Sequence, residues 1–177
     1  MNMKAKIQPI GIAQVEQLQQ ISRATFRETF ADVNTEEDMH DYLENRLSIS
    51  RLTDELSQPD SFFYFAMIDD HAVGYLKLNT GKAQTEHEAD DALEVERIYV
   101  LKDYQSEGIG RLLFDHALTI ASEKQCRYVW LGVWEHNEKA LRFYRKNGFE
   151  VFSKHVFRLG SDDQTDLMMR KEPPFIK

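Results

Sequence analysis

Leu93-Glu94-Val95-Glu96-Arg97-Ile98-Tyr99-Val100 opens on an alternation of apolar and polar side chains and ends β-rich, and a polar turn leads from it into Gln105-Ser106-Glu107-Gly108-Ile109-Gly110. The alternation predicts a strand with two different faces. Past the glycines the period changes to that of a helix, with Ile109, Leu112, Leu113, His116, Ala117 and Ile120 on one stripe. A second β-rich run, Arg127 to Trp134, comes next. Strand, glycine turn, helix and strand make a βαβ unit, so the two strands are expected to be parallel with a right-handed crossover.

The glycines point to what the turn is for. Glycine allows close approach of a ligand to the backbone and conformations that other residues avoid. Both stand where a helix begins, and the free N–H groups and dipole of a first helical turn attract anions. A phosphate or pyrophosphate is the expected ligand, wrapped by the backbone from Gln105 to Arg111, with Arg111 adding a charge. No Gly-Lys-Ser/Thr ending follows, which excludes a nucleotide P-loop, and Leu113 stands where a third glycine would complete a dinucleotide fingerprint.

Working outward, Lys4 to Pro9 reads as a strand, and Val15, Leu18, Ile21, Phe26 and Phe30 as the stripe of a first helix. Phe26 and Phe30 share a helix face. Their rings suit core packing or the wall of a pocket. Thr35-Glu36-Glu37-Asp38 has the form of a capping box opening a second helix. The acids from Asp32 to Asp41 either offset that helix's dipole or attract a cation. Ser50 to Ser57 predicts a short third helix ending before Pro59. Ser61 to Ile68 and Ala72 to Leu78 predict a hairpin, and the polar stretch from Asn79 to Ala92 a loop. Asn137 is placed to cap a helix that ends at Asn147-Gly148. Phe149 to Leu159 and Thr165 to Arg170 predict two more strands, with a turn from Gly160 to Asp163 and a frayed tail at Pro173-Pro174.

The 177 residues suffice for one domain spanning 1–177 and are too few for two ordinary ones. No apolar run is long enough to cross a bilayer, and Met1 to Lys6 lacks the apolar core of a signal peptide, so a cytoplasmic address is expected. The single cysteine, Cys126, excludes an internal disulfide, and the histidines show no metal-ligand spacing, so no metal is expected. Net charge −8 argues against a nucleic-acid partner and suits a cationic small molecule.

The pair of motifs, Gln105-x-x-Gly108-x-Gly110 after one strand and Asn137-x-x-Ala140-x-x-Phe143-Tyr144-x-x-x-Gly148-Phe149 after the next, resembles the GNAT acetyltransferases. Thr25-Phe26, Thr29-Phe30, Leu93 to Tyr99, Trp130 to Glu135 and Gln164 to Leu167 are similar to the PaiA-type polyamine N-acetyltransferases. The resemblance implies an α/β fold with a mixed, mostly antiparallel sheet, a parallel central pair and flanking helices. It implies transfer of an acetyl group from acetyl-CoA to an amine, a polyamine such as spermidine or spermine, in a ternary complex. Cofactor contacts would come from Ile98, Tyr99, Val100, Gln105, Ser106, Glu107, Gly108, Ile109, Gly110 and Arg111, and from Asn137, Ala140 and Tyr144. The acceptor would meet Phe26, Phe30 and Glu94.

Such a transfer needs a held thioester, a deprotonated amine, a stabilised oxyanion and a protonated leaving thiolate. An alkylammonium has a pKa of about 10.4, so a base is required. Glu94 and Glu96 are expected on one strand face, and each is a candidate, directly or through water. Some relatives place a glutamate base at the position of Glu94, eleven residues before Gln105. Either acid could instead pair with Arg97 or Arg127. The resemblance implies a backbone N–H near Tyr99 or Val100 for the oxyanion, at a bulge, and Tyr144 as the acid. Another amine acceptor, a non-catalytic acyl-CoA-binding module and a homodimer all remain open from the sequence.

Overall fold

The structure is a computed structural model that describes residues 5–86, 89–159 and 162–176. In chain order the elements are β1 (Lys6–Pro9), α1 (Val15–Phe30), α2 (Glu36–Arg46), α3 (Ile49–Leu56), β2 (Ser61–Ile68), β3 (His71–Thr80), β4 (Ala92–Val100), α4 (Ile109–Glu123), β5 (Tyr128–Trp134), α5 (Glu138–Lys146), β6 (Glu150–Leu159) and β7 (Asp162–Lys171). Among the described residues the seven strands form one sheet in the order β1-β2-β3-β4-β5-β7-β6. Its neighbours are antiparallel except β4 and β5, which are parallel as the βαβ reading requires.

The sheet is covered on both faces. Leu76, Leu78, Leu93 and Val95 turn to one side and pack with Leu113, Phe114 and Ala117 of α4 and Leu141 and Tyr144 of α5. Phe63, Phe65 and Tyr75 turn to the other and pack with Leu18, Phe26, Leu43 and Leu52 of α1, α2 and α3. Thr35 and Ser48 accept hydrogen bonds from the Asp38 and Arg51 amides and so start α2 and α3. Glu36, Glu37 and Asp38 fill the first turn of α2, where they offset its dipole.

Several expectations are corrected. The buried stripe of α4 is Ile109, Leu113, Phe114, Ala117, Leu118 and Ala121, while Leu112, His116 and Ile120 lie half-buried at its edge. The helix is turned because two layers, the sheet and α5, compete for its apolar surface. Asn79 does not belong to a loop: β3 runs on to Thr80, and Asn79 is fully buried. The tail is not frayed at the prolines, because Phe175 is buried in the main core. Lys4 and part of the expected turn at Gly160 lie outside the described residues.

The feature that positions the site is a parting of strands. β4 and β5 pair only over Ala92↔Tyr128, Leu93↔Val129 and Glu94↔Trp130. Beyond Glu94 the two strands diverge, although β4 stays paired with β3 as far as Val100 and β5 with β7 as far as Trp134. A wedge opens in the middle of the sheet.

Candidate active site

A cavity of about 840 Å³ occupies this wedge and the space beneath α1 and α2. Val95 to Tyr99 line one bank, and Leu131 to Trp134 line the other. Phe26, Phe30 and Tyr42 form part of the wall. Phe26 stacks flat on Tyr42 with ring centroids 4.1 Å apart and touches Phe30 at 4.6 Å. The two readings of this aromatic pair therefore hold together, since Phe26 is a core residue and also bounds the cavity.

A bulge shapes the β4 bank. Lys77 of β3 faces Arg97, but the next residue, Leu78, faces Val95, leaving Glu96 as the extra residue. The bulge expected near Tyr99 or Val100 is thus at Glu96. It brings Glu94, Glu96 and Arg97 to the same side of the sheet, where strict alternation would have sent Arg97 through to the opposite core. Beyond it the ladder is regular. The Leu101 amide donates to the Val73 carbonyl at 2.9 Å. Counting back by twos, the Tyr99 amide faces Tyr75, and those of Ile98 and Val100 face the wedge. Ile98 and Val100, not Tyr99, therefore offer donors to a ligand there.

The polar side chains on this face sort into two groups. Lys77 Nζ contacts Glu55 Oε2 at 3.0 Å and Glu96 Oε2 at 2.6 Å. The Arg97 guanidinium contacts Glu55 at 2.9 Å and Glu96 Oε1 at 3.1 Å. Two buried cations thus face two carboxylates. Burial alone would raise the Glu96 pKa, but the adjoining Arg97 and Lys77 charges outweigh it and hold this carboxyl below its usual range. Arg127 lies outside this network; its amide donates to the Asp91 carbonyl.

Among the described residues Glu94 contacts no cation. It is 3% exposed and receives hydrogen bonds from neutral donors: Asn79 Nδ2 at 2.9 Å, the Thr85 amide at 2.8 Å and the Thr85 hydroxyl. Burial raises its pKa, and the Asn79 and Thr85 hydrogen bonds offset only part of that. Asn79 also donates to Glu96 at 2.6 Å, so one amide links the two carboxylates that the sequence left as alternatives.

Toward the α5 end stand Asn137, Ala140 and Tyr144. Asn137 Oδ1 accepts from the Ala140 amide at 3.1 Å, so it caps α5 while lining the cavity. Tyr144 is wedged among Phe114, Phe143 and Phe149, and burial pushes its phenol up to about 12. It stays protonated through the physiological range.

The glycine turn lies at the end of β4. Gly108 caps α4 at φ 81°, a left-handed conformation that favours glycine, and Ser106 has φ 69°. The first intrahelical bond is Leu112 N–H to the Gly108 carbonyl, so the amides of Ile109, Gly110 and Arg111 have no helical partner. A Cβ on Gly110 would meet only Val100 Cγ2, at 3.9 Å. These open amides fit a pyrophosphate, and the wedge amides fit the arm that would follow it. The Arg111 side chain turns the other way, to Asp115 at 2.8 Å and Asn147 at 2.8 Å. Gln105 folds back to the Val100 carbonyl at 3.2 Å.

Other candidates lie apart. Cys126 is buried beyond the far end of α4, and burial raises its thiol. Among the described residues no group of His, Cys, Asp and Glu is placed to hold a metal ion. Of the acids from Asp32 to Asp41, none lines the cavity. Not foreseen from the sequence were Tyr42, Thr85, Trp130, His155 and Asp166, all cavity-lining. Trp130 was the one with a visible signal, a large aromatic aligned with Glu94 across the parallel pair.

Comparison with known proteins identifies the family. The model of the acetyltransferase (GNAT) family matches residues 15–149, and the chain belongs to that family. It is 46% identical over 151 residues to an uncharacterized N-acetyltransferase in the pepI 3′ region of Lactobacillus delbrueckii subsp. lactis, covering 85% of this chain and 87% of that one. The spermidine N(1)-acetyltransferase of Thermoplasma acidophilum is 27% identical over 176 residues, covering 96% and 98%. A crystal structure of the PaiA N-acetyltransferase from T. acidophilum, in complex with coenzyme A, has a TM-score of 0.78 at 26% identity and covers 97% of this chain and 100% of that one. The protein is an N-acetyltransferase that uses acetyl-CoA. No helix among the described residues is long and apolar enough to cross a membrane.

Proposed function

We propose that the protein acetylates a polyamine, with Glu94 as base and Tyr144 as acid. The observation that carries this reading is Glu94: a buried carboxylate on the cavity wall, held by neutral donors and, among the described residues, lacking a counter-ion. Burying an uncompensated charge is costly, so a site of this kind favours a ligand that brings the missing cation. A substrate ammonium does so and then gives up its proton. Around Glu94 the cavity wall carries Glu86, Glu96, Glu138 and Asp166 against Arg97 and Lys139, an acidic balance suited to further ammonium groups. The similarity to a spermidine N(1)-acetyltransferase supports the same substrate class.

In the proposed reaction the acceptor ammonium transfers a proton to Glu94. The neutral amine then attacks the thioester carbonyl, forming a C–N bond. The amides of Ile98 and Val100 are available to the oxyanion. The C–S bond breaks, and the Tyr144 phenol gives its proton to the leaving thiolate. The proton that the nitrogen sheds as the amide forms returns through solvent to the phenolate. Asn137 and the turn from Gln105 to Gly110 would hold the acyl donor, with Arg111 redirected to Asp115. A non-catalytic acyl-CoA-binding module has no need of this paired base and acid.

Two expected results test the reading. Gly110→Val adds a side chain where only Val100 is near, so the variant folds but crowds the phosphate approach. Calorimetry should show CoA affinity lowered by about tenfold or more, the scale of one or two lost charge-assisted hydrogen bonds. Steady-state rates over an amine panel test the acceptor. Spermidine and spermine should exceed monoamines in kcat/KM, and their advantage should shrink with added salt, because exposed charges are screened over about 8 Å at physiological ionic strength. Equal kcat/KM for a monoamine and spermidine, unaffected by salt, would sink the polyamine reading and leave the acetyltransferase intact.

A further inference from the structure

Glu94 is held from two sides that differ in kind. Asn79 is fully buried, accepts from Ser61 Oγ at 2.9 Å and is shared with Glu96. It belongs to the scaffold. Thr85 is exposed, yet both its amide and its hydroxyl donate to the Glu94 carboxylate, one to each oxygen. No architectural need of the fold explains an exposed threonine with both polar groups turned inward on one buried carboxylate.

The segment carrying Thr85 is fastened to the cavity wall. Gln84 Nε2 donates to the Gly81 carbonyl at 3.1 Å and the Ala89 carbonyl at 2.8 Å, and Gln84 Oε1 accepts from Trp130 Nε1 at 2.7 Å. Trp130 stands opposite Glu94 at the last paired position of β4 and β5. On the other side of Thr85, the Glu86 carboxylate pairs with His155 of β6. The segment therefore connects the apex of the wedge to the far wall, with Thr85 between its two fastenings.

We propose that Thr85 is a positioning residue for Glu94, setting the orientation and proton affinity of its carboxylate through the segment from Gly81 to Glu86. The inference rests on the reading of Glu94 as base. Hydrogen bonds donated to a carboxylate stabilise its charged form, and the two from Thr85 satisfy both oxygens at once. Among the described residues the charged and titratable surroundings do not substitute for it. Lys77 and Arg97 on the sheet are engaged by Glu55 of α3 and Glu96 of β4. His155 of β6 is engaged by Glu86. Asp166 of β7 is acidic, and Tyr42 of α2, Tyr99 of β4 and Tyr144 of α5 are held protonated by burial.

The test is the pH dependence of kcat/KM with spermidine for wild type, Thr85→Val, Thr85→Ser and Glu94→Gln. Position 85 is exposed, so Thr85→Val does not disturb the core; it keeps the amide and the shape and removes one donor. The acid limb should move to higher pH by about one unit, so that well below the limb kcat/KM is about tenfold lower than wild type. Thr85→Ser should restore the wild-type limb, and CoA affinity should not change. A Thr85→Val profile superimposable on wild type, with Glu94→Gln inactive, overturns this inference and leaves the base assignment standing. Full activity in Glu94→Gln overturns both.

Discussion

Glu94→Gln should lower kcat/KM for the amine by about 10³-fold at neutral pH, within the usual range for removing a general base. It should also abolish the acid limb, because the group that titrates there is gone. That limb should lie above the ordinary carboxylate range in wild type, since burial raises the Glu94 pKa. The sign follows: only the ionised carboxylate accepts a proton, so activity falls as pH drops through the raised pKa. The variant is expected to fold. Among the described residues Glu94 has no cation to orphan, and glutamine keeps the carbonyl that Asn79 requires. Glu96→Gln is the opposite case. It weakens a network in which Lys77 and Arg97 are buried, and leaving a buried charge uncompensated costs roughly 3–5 kcal/mol. Stability measured by denaturant and activity measured by rate thus separate two acids that lie two residues apart.

Tyr144→Phe should lower kcat by about 10²-fold with little change in CoA affinity. The phenyl ring preserves the packing against Phe114 and Phe149, whose centroids lie 5.9 and 5.7 Å away. What is lost is one proton, on a phenol that burial keeps protonated up to about pH 12. Rapid-quench and calorimetric measurements distinguish the two effects. Equal turnover in both forms would mean that water protonates the thiolate.

The βαβ core was legible in the sequence because its signals are local: a period-two run, two glycines and a change to helical period. The cap at Asn137 and the stop at Gly148 are legible for the same reason. The bulge was not. The run Leu93 to Val100 breaks its alternation at Glu96-Arg97, two polar residues in succession, but that break alone does not say that β3 skips Glu96 rather than that one side chain simply faces solvent. Without the bulge Arg97 belongs to the opposite core, so the Lys77–Glu55–Arg97–Glu96 network could not be assembled on paper. Its remaining member, Glu55, comes from α3, forty-two residues before Arg97. Thr85 was hidden for another reason. A polar residue in a polar stretch carries no periodic signal, and its role arises only where the chain folds back over Glu94. The acids near α2 mislead in the reverse sense: they are conspicuous in sequence, yet Glu36, Glu37 and Asp38 start a helix and none of the acids lines the wedge cavity.

The most direct test of the account is the initial rate of free-thiol release from acetyl-CoA on addition of spermidine, with the acetylated product identified by mass spectrometry, in wild type and Glu94→Gln. The account predicts amine-dependent release in wild type, one acetylspermidine formed per CoA, and a rate about 10³-fold lower in the variant. Release that does not depend on the amine, or an undiminished rate in Glu94→Gln, would contradict it.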